Sequence, residues 1–525
     1  MAYLNPRNTG FANSARNAQV YVDKTMLIAE TNRLLDSADN FLCVSRPRRF
    51  GKSMAGNMLA AYYSRGCDSR ELFSPFSIAK DASFSEHLNK YNVVKFDLFG
   101  AYSDVTDGRN VVEVLTSELR SEFIRQFPNV EFGPSDSLAK CIMRVYDETQ
   151  ETFVIIIDEY DCLVRLGVSQ EYFEVYLKFL CSLFKNNDLR PAISLAYLTG
   201  ILPIVREKMQ SKLNEFAEYT MLDPGSLSPY LGFTQSEVRA LCEEYDMDFG
   251  ECARWYDGYH VSSNVELYNP QSVAYSIIRH KFGSYWSVTS SFEALRDYIL
   301  MDFEGIKQDV LTMIGGGRVC VNVRKFTNTL NSFRSKDDVF TYLIHLGYLA
   351  YDSENSQCYI PNLEVRDTWR DSIEDSPDYA NVISLINASR DLVRHTLDKD
   401  SDYVARALDI AHQNATNPLT YNDEASFQSA IGLAYFYATA QYTIIKEMPA
   451  GRGYADVVFI PYVPNIPAII VELKVDTQPS HALEQIQNRR YPDALNHYKG
   501  NILLVAISYN RKSKSHSCQI FSIDK

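Results

Sequence analysis

The residues best suited to chemistry fall in two places. The first combines SRPRRFGKSM (45–54) with VIIIDEYD (154–161). Gly51-Lys52-Ser53 has the form of a phosphate loop. The glycine lets the backbone approach phosphates, the lysine reaches the terminal ones, and the serine hydroxyl ligates magnesium. Arg46 stands where such loops usually carry their first glycine, so the triplet alone does not separate a phosphate loop from a helix that begins Gly-Lys-Ser by chance. An apolar strand tipped by Asp158 and Glu159 is costly unless the acids face a cation or water. The first acid can hold magnesium through water, and the second can polarise an attacking water. Strands also end in solvated acids, but the two patterns together, with a strand and a helix between them, read as one nucleotide site. Thr199, closing the apolar strand ISLAYLTG (193–200), falls where a sensor of the terminal phosphate would lie. Arg49, Phe50, Gly51, Lys52, Ser53, Met54, Asp158 and Thr199 are therefore assigned to the nucleotide, Ser53 and Asp158 to its magnesium, and Glu159 to catalysis. Arg48, Arg49 and Arg206 are the cations available to a transition state, or else are solvated; Arg46 touches phosphate, faces a neighbouring subunit, or is solvated too.

The second place is YADVVFIPYVPNIPAIIVELKV (454–475). Asp456 lies on one expected strand, and Glu472 and Lys474 lie two residues apart on the next, hence on one face. Two carboxylates on neighbouring strands can share a divalent ion, and a lysine beside them can orient water or offset charge on a phosphate. Glu-x-Lys alone is commonly one charged face of an edge strand; its setting makes it a candidate metal-dependent phosphodiesterase site. Glu424, at the start of the preceding expected helix, is a further candidate metal ligand, although an acid is favoured there in any case. Gln485 lies on the following expected helix. Arg489, Arg490, Lys499, Arg511, Lys512 and Lys514 make this end more basic than the whole, as a phosphate backbone or simply a soluble surface requires.

These residues need elements to hold them. Over roughly 1–230, short apolar strands alternate with amphipathic helices: FLCVS (41–45), NVVKFDLF (92–99), FVIIID (153–158) and ISLAYLTG, with EYTMLD (218–223) as a further candidate. That alternation predicts an α/β fold with a parallel sheet covered on both faces. Residues 231–400 are mainly helical in pattern, with a winged-helix-like arrangement as one option, broken by aromatic loops such as WYDGYH (255–260). Residues 401–525 read as helix, three strands, helix, two strands, a restriction-endonuclease-like α/β order.

At 59.9 kDa the chain is too long for one core. Its net charge of -14 argues against a protein that coats nucleic acid everywhere and leaves room for a local basic cleft. Ten cysteines without a CxxC pair predict reduced thiols rather than a zinc site. No apolar run is long enough to span a bilayer, so the expected location is cytoplasmic, with no membrane partner.

With both constellations in view, the chain resembles a bacterial family that joins an AAA-ATPase-like N-terminal domain to a C-terminal PD-(D/E)XK nuclease-superfamily domain. The resemblance rests on YVDKT (21–25), RPRRFGKS (46–53), VIIIDEYD, LTGILPIVRE (198–207), LGFTQSEV (231–238), WYDGYH, LYNPQSV (267–273), IPNLEVR (360–366), ADVVF, VELK and ALEQI (482–486), in that order. It implies that the arginine-rich loop is the normal form, that Lys52, Ser53, Asp158 and Glu159 serve ATP and Mg2+, and that Asp456, Glu472 and Lys474 form a nuclease-like site using Mg2+ or Mn2+. AGRGYAD departs from the expected order, which puts a contact by Arg452 in question.

The reading that follows is an ATP-binding protein and ATPase whose nucleotide state controls a metal-dependent domain acting on DNA or RNA. The alternative keeps the fold but has the last domain bind nucleic acid or protein without cutting. Oligomeric state is left open; a homo-oligomer would allow an arginine to be supplied in trans.

Overall fold

The computed structural model describes residues 2–105, 110–204, 213–262, 265–286, 306–314, 316–326, 333, 335–374, 380–415, 431, 434–435, 438, 442–450, 453–461, 466–480 and 500–523. The chain divides into two compact units: Met1–Ser290 with Cys320–Val365, and Ser291–Val319 with Arg366–Lys525. Residues 231–400 thus contribute to both.

The first unit is built on five parallel strands, β1 (Phe41–Ser45), β2 (Asn92–Asp97), β3 (Phe153–Asp158), β4 (Ile193–Gly200) and β5 (Ala217–Tyr219), in the order β2-β3-β4-β1-β5. β1, β3 and β4 are buried along their whole length, because helices cover both sheet faces and alternation is lost. Period-2 geometry still sorts the side chains. Phe153, Ile155 and Ile157 enter one core with the helices Val111–Gln126 and Gln170–Phe184. Val154 and Ile156 enter the other, beneath α2 (Met26–Leu34) and α3 (Lys52–Tyr63). β4 lies between β1 and β3, so their carboxyl ends, which carry Gly51-Lys52 and Asp158, are one strand apart with Thr199 between them.

Around that edge sit α1 (Thr9–Asn17) and several pieces from beyond residue 230. The helix Gln235–Glu244 opens with a capping box, Glu237 Oε2 accepting from Thr234 N at 2.7 Å. LYNPQSV is a helix start: Asn269 Oδ1 accepts from Gln271 N (3.0 Å) and Ser272 N (3.2 Å), and Pro270 takes the first turn, where its missing N–H costs nothing. The YVDKT motif is a clamp. Asp23 accepts from Thr25 N (2.8 Å) and Ser77 N (2.7 Å), while Lys24 Nζ donates to Pro229 O and Glu237.

The second unit carries a mixed five-stranded sheet of Tyr442–Ala450, Gly453–Pro461, Ala468–Val475, Ile502–Asn510 and Ser515–Ile523, neighbours in that order. All pairs are antiparallel except Ala468–Val475 with Ile502–Asn510, which is parallel and needs a crossover. Ala455, Val458, Ala468, Ile470, Ile502 and Leu504 form one side of its core. The helix Ser401–Ala415 is tied to the last strand by Asp409, whose Oδ1 accepts from His516 N (2.7 Å) and pairs with His516 Nδ1 (2.8 Å). The helices expected over 426–440 and 481–495 lie largely outside the described residues.

Candidate functional site

At the carboxyl edge of the first sheet the chain turns from β1 into α3 through two residues of positive φ, Arg49 (+71°) and Gly51 (+88°). Gly51 caps α3 from the left-handed region, which glycine adopts without strain. The first turn of α3 holds no acid and no side-chain cap, so its unpaired N–H groups and dipole favour an anion. Lys52 is buried and donates from Nζ to the carbonyls of Arg46 (3.0 Å) and Pro47 (2.9 Å). Burial pulls its pKa down, and the nearby carboxylates of Glu159, Asp158 and Asp161 oppose that.

Asp158 is buried, and its Oδ1 accepts from both Glu159 N (3.0 Å) and the Thr199 hydroxyl. Thr199 therefore stands behind Asp158 and orients it. Glu159 itself has a φ of +55°, a costly conformation of the kind that collects at functional sites. Its carboxylate pairs with Arg165, and burial pushes its pKa up against the pull of that arginine.

Gly51, Lys52, Ser53, Glu159 and Arg165 line one cavity of about 660 Å3. Its polar lining includes Arg48, Arg49, Lys52, Ser53, Asp97, Glu159 and Arg165, and its apolar lining Phe11, Val20, Tyr21, Val22, Met58, Tyr230 and Phe233. Phe50 and the exposed Met54 also border it. The Ser53 hydroxyl and the Asp158 carboxylate both offer oxygen donors, the type that suits a magnesium ion.

Arg46 departs from the options read in the sequence. It is completely buried, with Nη1 donating to Ser45 O (2.8 Å) and Tyr219 O (3.1 Å), so it braces the end of β1 against β5 rather than meeting phosphate, a second subunit or solvent. Arg48 is exposed and Arg49 partly so. Arg206 lies outside the described residues. Asp97 and Arg165 are among the cavity residues that were missed. Asp97 was read as strand interior, yet β2 stops there and Asp97 caps the next helix through Phe99 N (3.0 Å), beside Asp158 in the sheet register. An acid closing a second strand was the available signal. Arg165 had none, since a turn brings it back over Glu159.

In the second unit the antiparallel register sets Val457 opposite Val471, one residue along from Asp456 and Glu472, and Asp456 Oδ2 accepts from Leu473 N at 2.6 Å. Glu472 is 1% exposed and its Oε1 pairs with Lys474 Nζ at 2.7 Å. The two carboxylates and the lysine thus share one face, an oxygen donor set suited to a hard divalent ion. Among the described residues no three His, Cys, Asp or Glu side chains group to hold an ion. Glu424, Arg452, Gln485, Arg489, Arg490 and Lys499 lie outside them.

Comparison with known proteins shows what the two segments that carry these residues are similar to. Residues 9–210 match the family model for a predicted AAA-ATPase, and residues 422–517 match that of the PD-(D/E)XK nuclease superfamily. The chain is thus similar, in order, to a predicted AAA-ATPase and to the PD-(D/E)XK nuclease superfamily. An uncharacterized protein in the vnfD 5'region of Azotobacter chroococcum mcd 1 is 23% identical, covering 94% of each chain. Among solved structures, the Aeropyrum pernix ORC2 protein aligns with 70% of this chain and 93% of its own at 9% identity and a TM-score of 0.32. The Aeropyrum pernix ORC1 protein in complex with DNA aligns with 73% and 100% at 10% identity and 0.28. Gly51, Lys52, Ser53, Asp158, Glu159 and Thr199 all fall in the AAA-ATPase-like segment, and Asp456, Glu472 and Lys474 in the nuclease-superfamily segment. No helix among the described residues is long and apolar enough to cross a membrane.

Proposed function

We propose that the AAA-ATPase-like domain binds and hydrolyses ATP, and that its nucleotide state governs a nuclease-superfamily domain that cleaves nucleic acid. The observation that carries the first part is the convergence of Lys52, Ser53 and Glu159 on one cavity that also has apolar lining, with Asp158 directly before Glu159 at the end of β3. Phosphates would lie on the first turn of α3, with Lys52 turning from the carbonyls of Arg46 and Pro47 to the terminal phosphates, and the base would lie among Tyr21, Val22, Tyr230 and Phe233. Ser53 and Asp158 would hold a magnesium ion, which when bound would neutralise charge on the phosphates. Glu159 orients a water and takes its proton as the new P–O bond forms. The bond to the β-phosphate oxygen breaks, ADP leaves, and the proton passes to solvent.

For the second domain, Asp456 and Glu472 would hold the divalent ion and Lys474 would orient the attacking water. Support for coupling lies within the first unit, where the phosphate loop packs on segments from far along the chain. The Phe50 ring meets Tyr259 edge-on at 5.4 Å. Buried Glu364, one residue before the unit ends, accepts from Tyr285 N (2.7 Å), Trp286 N (2.8 Å) and Ser272 Oγ (2.9 Å). Asp456→Ala and Lys474→Ala should each abolish metal-dependent cleavage while leaving ATP binding intact. If the wild type cuts neither DNA nor RNA with Mg2+ or Mn2+, with or without ATP, the domain is a binding module instead.

A further inference from the structure

Arg165 stands in the same cavity as Lys52, Ser53 and Glu159. It closes the short turn of helix Cys162–Arg165 that follows β3, and its side chain is only 12% exposed. Two carboxylates hold it, and they differ. Nε donates to Asp161 Oδ2 at 3.0 Å, and that same oxygen accepts from Ile201 N (3.1 Å) and Leu202 N (2.9 Å). Asp161 is therefore locked to the loop leaving β4 and braces the guanidinium from behind. The other edge, through Nη2, is given to Glu159, which is 26% exposed and faces the cavity.

A terminal phosphate seated by Lys52 and Ser53 would bring two negative charges next to the Glu159 carboxylate. Arg165 is already poised there, and a guanidinium edge matches phosphate oxygens better than it matches one carboxylate oxygen. We propose that Arg165 reads the terminal phosphate: its Nη edge passes from Glu159 to the phosphate while Nε stays on Asp161, and Glu159 is thereby released to orient the attacking water. With a diphosphate bound, the Glu159–Arg165 pair persists. The cation is supplied within the chain, so it needs no neighbouring subunit. The inference rests on the nucleotide reading above and adds to it the residue that separates ATP from ADP.

The test is the affinity of the full chain for magnesium-ATP and magnesium-ADP, measured by calorimetry for wild type, Arg165→Ala, Arg165→Lys, Glu159→Gln and the Glu159→Gln/Arg165→Ala double variant. Arg165→Ala should weaken ATP about tenfold or more and ADP by less than about twofold, and Arg165→Lys should fall between wild type and alanine. Glu159→Gln removes the competitor for the guanidinium and should tighten ATP only while Arg165 is present. Equal weakening of ATP and ADP would make Arg165 a structural clamp and overturn the proposal, as would unchanged ATP affinity. Should Arg165→Ala not fold, Arg165→Lys decides: an ammonium cannot span Asp161 and a phosphate, so an unchanged ATP-to-ADP ratio refutes the idea. A wild type that binds neither nucleotide refutes the nucleotide reading itself, a different result from all of these.

Discussion

The Tyr259 hydroxyl donates to the carbonyl of Gly347 at 2.7 Å, joining two loops that flank the phosphate loop. Gly347 ends the helix Lys336–Leu346 at a φ of +87°, and a Cβ there would lie 2.6 Å from Trp286 and 2.8 Å from Pro47. Tyr259 touches Phe50 and Gly347 abuts Pro47, so both sides of the arginine-rich loop are fixed by residues from beyond position 250.

Gly347→Ala should therefore be costly in two ways. The left-handed backbone and the clash together predict a loss of roughly 2–4 kcal/mol, read as a lower melting temperature. Weaker ATP binding should accompany it, because Pro47 must shift. Unchanged melting and affinity would show that the packing yields freely.

Lys52→Ala removes the ammonium from the phosphate end of the cavity. ATP affinity should drop by about 30- to 100-fold, the worth of a charge-assisted contact of roughly 2–3 kcal/mol. Calorimetry checks this, and melting without nucleotide should move far less than in Gly347→Ala.

Glu159→Gln should hold ATP without turning it over. The expected fall in kcat is about 100- to 10,000-fold, the usual contribution of a general base, in single-turnover hydrolysis with bound ATP retained. Wild-type hydrolysis in this variant would remove Glu159 from that role.

Glu364 predicts a pH dependence. Burial raises its carboxyl from 4.5 to about 7, against the pull of its hydrogen bonds from Tyr285, Ser272 and Trp286. Between those values the folded protein binds more protons than the unfolded chain, so this group makes stability fall as pH rises from about 4.5 to 7. At about 1.4 kcal/mol per unit the effect has an upper limit of roughly 3 kcal/mol. Melting curves of Glu364→Gln should lose that part of the slope; an identical slope would assign it to other groups.

Much of this was legible in the sequence for physical reasons. A parallel sheet buried on both faces leaves uninterrupted apolar runs, so β1, β3 and β4 announce themselves, and acids at the end of such a run mark a ligand-facing edge. That Glu472 and Lys474 share one face followed from strand alternation, and Lys474 Nζ does pair with Glu472 Oε1. What escaped depends on chain reversal and distance. Arg165 reaches Glu159 only because the chain coils directly after Asp158. The apolar lining of the cavity is assembled from residues 11–22 and 230–233, which no local pattern links. Arg46 was left between phosphate, a neighbouring subunit and solvent because nothing in the loop shows that its side chain turns back to the Tyr219 carbonyl on β5.

The central claim is that nucleotide state governs cleavage at the Asp456, Glu472 and Lys474 site. Its most direct test is the cleavage rate of DNA and RNA by the full chain with Mg2+ or Mn2+, with and without ATP, for wild type, Lys52→Ala and Lys474→Ala. Cleavage by the wild type should change with ATP, Lys52→Ala should cut at a rate that ATP no longer alters, and Lys474→Ala should hydrolyse ATP without cutting. Wild-type cleavage that is indifferent to ATP and matched by Lys52→Ala would contradict the account.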